Sequence, residues 1–145
     1  IETDLRVLIP EEYVTSISER LALYTRLDEI EDEETLAAFI KEIKDRFGDL
    51  PQEVNDMIEL VKCRWKAQVL GIEKILLKNN ILKFHFVSSE STRPLDQNIV
   101  IKVISFVNNK KGLCQLREKA GKMILQIDKV SSIKELNTIL VDILG

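Results

Sequence analysis

Gly71-Ile72-Glu73-Lys74-Ile75-Leu76-Leu77-Lys78-Asn79-Asn80-Ile81-Leu82-Lys83-Phe84-His85-Phe86-Val87 is the stretch where the period of the chain changes. Ile72–Leu77 is a short apolar run, and Asn79-Asn80 is a turn signal. Ile81–Val87 alternates, with Leu82, Phe84 and Phe86 on one face and Lys83 and His85 on the other. Period two on either side of an Asn pair predicts a β-hairpin. Everything from residue 11 to Gly71 has helical period instead, so the chain reads as α+β.

Upstream, Leu5, Val7 and Ile9 share one side of Thr3–Ile9, which predicts a short strand stopped by Pro10. Three helices follow. In the first, Ile17, Leu21 and Tyr24 form the apolar stripe, Leu23, Leu27 and Ile30 widen it, and Ser16 or Ser18 is the N-cap. The second has Leu36, Ile40, Ile43 and Phe47 on one face, with Asp32, Glu33 and Glu34 at its start, where the helix dipole favours acids. Gly48 stands at its C-terminal end. Pro51 opens the third, which buries Val54, Ile58, Val61 and Trp65 and closes at Gly71.

Downstream, Ser88–Pro94 reads as a polar loop. Residues 95–109 are rich in β-branched residues, yet Asn98, Lys102, Ser105 and Asn109 form a polar stripe at helical spacing. A largely buried helix capped by Asp96 is expected. Leu113–Glu118 and Lys122–Asp128 flank Lys-Ala-Gly, predicting a second hairpin with a three-residue turn. Ser132 and Glu135 form a capping box for a last helix whose apolar face is Ile133, Leu136, Leu140 and Ile143. The expected architecture is an N-terminal strand and three-helix layer, then two β-hairpins forming a small sheet, with two further helices. One domain over residues 1–145 is expected, with a helical part at about 11–70 and an α/β part at about 72–145.

The 145 residues suffice for a real core. With 45% hydrophobic and 31% charged residues, disordered and low-complexity classes are excluded. A net charge of −3, from 21 basic and 24 acidic residues, lends no bulk support to nucleic-acid binding. Two cysteines and one histidine cannot make a disulfide framework or a four-ligand zinc site. No apolar run is long enough to span a membrane. A cytoplasmic protein with reduced thiols is expected. The chain opens Ile1-Glu2-Thr3 without an initiator methionine, as a domain cut from a longer protein would.

Little chemistry is visible. Neither a phosphate-binding glycine loop nor a nucleophile elbow is present. His85 reads as a strand-surface residue, since a catalytic base would need an orienting carboxylate. Cys63 and Cys114 read as inert thiols, and Trp65 as core. Lys62, Arg64, Lys66 and Lys110-Lys111 lack interleaved aromatics and read as solvated surface. The acidic run Asp28–Glu34 lacks the glycine and spacing of a calcium loop. Glu42 and Asp45, three apart, share the outer face of the second helix beside Arg46. They read either as a local ion-pair network or as a surface that receives a basic patch.

Four stretches then carry a resemblance: Ile9-Pro10-Glu11-Glu12-Tyr13-Val14, Glu19-Arg20-Leu21-Ala22-Leu23-Tyr24-Thr25-Arg26-Leu27, Asp45-Arg46-Phe47-Gly48-Asp49-Leu50-Pro51 and Leu70-Gly71-Ile72. In this order they resemble the C-terminal domain of bacterial transcription-repair coupling factor. The resemblance is specific over residues 1–78 and weak over 79–145, where only the element order agrees. It implies a parent that is an ATP-driven DNA translocase, with ATP and magnesium held in its motor domains and no cofactor in this domain. Such a parent binds double-stranded DNA, displaces stalled RNA polymerase and recruits the excision-repair ATPase UvrA. The resemblance further implies that this domain is not an enzyme. By the same resemblance it is expected to fold back on the N-terminal UvrA-binding module of the same protein, mask it, and restrain the motor. The D-R-F-G match at Asp45–Gly48, preceded by an acid at Glu42, makes Glu42, Asp45 and Arg46 the expected clamp surface. Lys44 departs from the neutral or apolar residue expected between the acids.

Two rival readings stand beside this one. A nucleic-acid-binding accessory module would need a continuous basic face, and the linear sequence predicts none. A small enzyme would need His85 in a deep pocket.

Overall fold

The computed structural model describes residues 1–88, 95–110 and 112–145. Along the chain run β1 (Glu2–Thr3), α1 (Ile17–Glu29), α2 (Glu33–Phe47), α3 (Gln52–Val69), β2 (Ile72–Lys78), β3 (Ile81–Phe86), α4 (Gln97–Asn109), β4 (Cys114–Lys119), β5 (Lys122–Asp128) and α5 (Ile133–Leu144). The α+β architecture is as expected. The chain divides into two compact units: Arg6–Val61, and Ile1–Leu5 together with Lys62–Gly145.

The Arg6–Val61 unit holds α1, α2 and the first half of α3. Local chemistry starts each helix. Ser16 caps α1 by accepting the Glu19 amide, and Asp32 caps α2 by accepting the Thr35 amide at 2.7 Å. Gly48 ends α2 at φ 92°, a left-handed conformation that glycine adopts without Cβ strain. Leu23, Leu27, Ile30, Leu36, Phe39, Ile43, Val54, Ile58 and Val61 are buried.

Three expectations are corrected here. The strand predicted over Thr3–Ile9 pairs only at Glu2–Thr3. The alternation persists as burial of Ile9, but the Leu5 amide turns back to Thr3 Oγ1 at 3.0 Å and the Ile9 amide goes to a side chain. In α1 the buried stripe is Leu23, Leu27 and Ile30, while Ile17 and Leu21 are 67% and 60% exposed. Both stripes have helical spacing, and one helix buries only the face that finds a neighbour. In α2, Phe39 is buried, whereas Ile40 and Phe47 are only half-buried.

The second unit is built on a five-stranded sheet of order β1-β2-β3-β5-β4, with β1 parallel to β2 and every other pair antiparallel. Asn79 and Asn80 take φ 54° and 62°, the paired left-handed residues of a two-residue hairpin turn. The second hairpin also turns on two residues rather than three. Lys119 pairs with Lys122, and Ala120 joins Gly121 at positive φ.

One sheet face carries Ile75, Leu77, Leu82, Phe84, Phe86, Leu125 and Ile127, all buried. Helix α5 adds Ile133, Leu136, Leu140 and Ile143, as its period predicts; Ser132 caps it by accepting the Glu135 amide, but the Glu135 carboxylate takes the amide and hydroxyl of Ser131 rather than closing a capping box on Ser132. Helix α4 is capped by Asp96, as expected, but it is not largely buried. Val103 and Phe106 are inside, while Ile101 and Ile104 are 61% and 45% exposed. Trp65 in α3 is half-buried rather than core. The polar loop predicted for Ser88–Pro94 lies, beyond Ser88, outside the described residues, as does Lys111. Among the described residues no helix is long and apolar enough to cross a membrane.

Candidate functional site

The expected clamp residues lie on the exposed side of α2, in an ionic lattice that also takes in α1. The Arg26 guanidinium forks onto Glu42, with Nη1 donating to Oε2 at 2.5 Å and Nη2 to Oε1 at 3.3 Å. Arg46 Nη2 donates to Glu19 Oε1 at 2.5 Å, and Arg46 Nη1 stands 3.9 Å from Glu42 Oε2. Hydrogen bonding from Arg26, then its charge and that of Arg46, hold the Glu42 carboxyl below its ordinary range. Both guanidiniums also cover aromatic rings, Arg26 over Phe39 at 4.9 Å and Arg46 over Phe47 at 4.7 Å. Glu42 and Arg46 are thus brought together and occupied. Asp45 is exposed and has no hydrogen-bond or ion-pair partner among the described residues. A surface hollow of about 330 Å³ lies beside Glu42, walled by Arg26 and Glu29 with Phe39 among its lining.

Sequence reasoning missed Glu19 and Arg26 as members of this lattice, although both lie in the quoted Glu19–Leu27 motif. The remaining motif residues hold the scaffold. Tyr24 Oη accepts the Ile9 amide at 2.8 Å, and Arg20 Nη1 donates to the Val14 carbonyl at 2.6 Å. Tyr13 Oη donates to the Gly48 carbonyl at 2.8 Å, and its ring packs on Phe47 at 5.7 Å between centroids. Ile9–Val14, α1 and the D-R-F-G turn are therefore one bonded assembly.

The other chemistry-bearing residues fall as follows. Asp32 is committed to Thr35, whose amide and hydroxyl lower its carboxyl. Among the described residues no group of His, Cys, Asp and Glu is placed to hold a metal ion. Cys63 is buried, and Cys114 is half-buried with its thiol pushed up by burial. His85 lies on the outer sheet face as expected, but its Nε2 is buried without a hydrogen-bond partner.

The charge is segregated. Arg6–Val61 carries 6 basic against 15 acidic residues, net −9, and the second unit 15 against 9, net +6. The whole-chain value of −3 conceals this. Strand pairing gathers cations that the linear sequence scatters, interspersed with Leu76, His85, Ile124, Gln126 and the acids Glu2 and Asp128. Register places Lys74, Lys78, Lys83, Arg117, Lys119 and Lys122 on one face of the sheet.

The fold and these contacts define an α+β domain whose recognisable motifs build a bonded helical scaffold with an exposed ionic surface. The chain belongs to the TRCF domain family, whose model matches residues 3–97. It is 34% identical over 87 residues to the transcription-repair-coupling factor of Rickettsia bellii (strain RML369-C), covering 59% of this chain and 8% of that protein. With the protein of that name from Borreliella burgdorferi it shares 28% over 104 residues, covering 69% and 9%. With that from Escherichia coli (strain K12) it shares 33% over 76 residues, covering 51% and 7%. The chain thus spans less than a tenth of the length of these relatives. A crystal structure of the C-terminal domain of transcription-repair coupling factor matches 99% of this chain and 91% of its own, with a TM-score of 0.73 at 15% identity. At that identity the likeness concerns the fold.

Proposed function

We propose that this domain is a non-catalytic regulatory clamp within a cytoplasmic transcription-repair coupling factor. It masks the UvrA-binding module of the same protein and restrains an ATP-driven DNA translocase until RNA polymerase is engaged. ATP and magnesium belong to the motor domains. Family membership supports the setting, and Asp45 carries the surface assignment. It is an acid without a partner on an otherwise internally paired patch, so its charge is available to a basic side chain of another surface. The hollow beside Glu42, walled also by Glu29, adds an acidic place for a basic side chain to reach. A clamp of this kind is polar and modest, as a releasable interdomain contact must be.

The test is binding of this domain, in trans, to the separately expressed UvrA-binding module at low salt, with UvrA as competitor. Asp45→Arg is the clean variant, since it disturbs no described contact; Glu42→Arg also breaks the fork to Arg26. Loss of at least ten-fold in affinity on Asp45→Arg, with UvrA displacing the wild type, is the expected result. Full binding by both variants would move the clamp off α2. No interaction at millimolar concentration would sink the masking role for the separate domain.

A further inference from the structure

We propose that the outer face of the β-sheet is a docking surface for the phosphate backbone of double-stranded DNA. This surface is separate from the clamp on α2 and stands or falls without it. Cross-strand partners share a face, so the register assigns it directly. Lys74 lies opposite His85, His85 opposite Ile124, and Ile124 opposite Arg117. That row crosses four strands, about 14 Å at ordinary strand spacing. Lys78 and Lys83 flank it on one side, Lys119 and Lys122 on the other.

The face is undercompensated. Its six cations meet three acids: Glu2 is shared between Lys74 and Lys78 at 3.6 Å each, Glu73 takes Lys122 at 2.6 Å, and Asp128, opposite Ile81, accepts from Gln126 Nε2 at 3.2 Å. Arg117 donates to the neutral Gln126 at 2.7 Å. Neither Lys83 nor Lys119 has a hydrogen-bond or ion-pair partner among the described residues. In the middle, His85 Nε2 is buried without a partner. Burial first, then the charges of Lys74, Lys83 and Lys122, hold its imidazole below the ordinary range.

The composition selects the occupant. Lysine is depleted from protein–protein interfaces, whose centres are aromatic, Met or Arg. Here lysine dominates, and the apolar members are only Leu76, Ile81 and Ile124. Single-stranded nucleic acid is held by bases stacked on aromatic rings. This face has none of Phe, Tyr or Trp. What remains is a broad set of long cations suited to backbone phosphates without reading sequence.

The experiment is fluorescence anisotropy of a labelled 25-bp duplex of arbitrary sequence with the 145-residue chain. Micromolar binding at 50 mM salt is expected, weakening on the order of 10²–10³-fold by 200 mM for four to five phosphate contacts. Lys83→Gln with Arg117→Gln should weaken binding at least ten-fold and reduce the salt slope by about 2. Lys41→Gln with Lys44→Gln, the same charge change on α2, should change it less than two-fold. The single histidine gives a second reading: phosphate on the face should raise the His85 titration midpoint seen by NMR, which a merely structural role would not do. No binding at 100 µM chain, equal losses in the two double variants, or tighter binding to a poly-glutamate peptide than to the duplex would each overturn the proposal.

Discussion

Replacing Tyr24 by Phe keeps the ring and removes one oxygen. That oxygen accepts the Ile9 amide at 2.8 Å, and Ile9 is 7% exposed, so water cannot readily take its place. A buried donor stripped of its acceptor costs about 1–3 kcal/mol. The bond is partly buried, so about 1–2 kcal/mol is expected. At about 1.4 kcal/mol per factor of ten, exchange of the Ile9 amide should accelerate roughly ten-fold, and the melting temperature should fall by about 2–8 °C. The assay is native-state hydrogen exchange read at the Ile9 amide, with urea unfolding alongside. Tyr13→Phe is the internal comparison. Its hydroxyl donates to Gly48 at the surface, where water can replace it, so the loss should be smaller. Unchanged Ile9 exchange in a folded Tyr24→Phe protein would refute the reasoning. The Tyr in the Glu19–Leu27 motif would then not be pinning the segment that leads into α1.

Leu27→Ala should cost about 2–4 kcal/mol by urea unfolding, because Leu27 is 4% exposed, whereas Ile17→Ser, at 67% exposure, should stay within about 0.5 kcal/mol. The His85 imidazole is held below its ordinary value in the fold, so the unfolded chain binds the proton more readily. His85 should therefore cost no stability above about pH 6.5 and progressively more as pH falls below it. Urea midpoints at pH 7.5 and 5.5 should differ less in His85→Phe than in the wild type. At pH 7 a thiol reagent should modify Cys114 slowly, since burial raises its pKa, and Cys63 only after unfolding; two fast thiols in the native protein would contradict the fold.

Most local structure was legible because its causes act within a few residues. Ser16, Asp32, Asp96 and Ser132 each cap the helix they precede. Asn79-Asn80 turns the hairpin it announces. The apolar face of α5 has a single phase, and the structure buries that face. The errors occurred where two local answers were equally good. Helix α1 offers two apolar stripes, and only its neighbours select Leu23 and Leu27 over Ile17 and Leu21. Thr3–Ile9 alternates like a strand, yet a strand also needs a partner ladder, and here Tyr24 takes the Ile9 amide instead.

For the candidate sites the division is sharper. The motif order and the D-R-F-G turn marked Glu42, Asp45 and Arg46 from the chain alone. Which of them is free, and which is tied to Glu19 and Arg26, depended on bringing α1 beside α2, a contact made by residues 16 to 27 positions apart. The basic sheet face was invisible for a related reason. Its cations are scattered over more than forty residues and diluted by acids of the other unit. Only strand pairing, which seats β5 between β3 and β4, sets them side by side. Caps, turns and helical period are short-range physics that the sequence by itself determines. The choice of buried face, strand neighbour and charge pattern is a long-range decision, settled only when distant segments compete for the same core and the same hydrogen bonds.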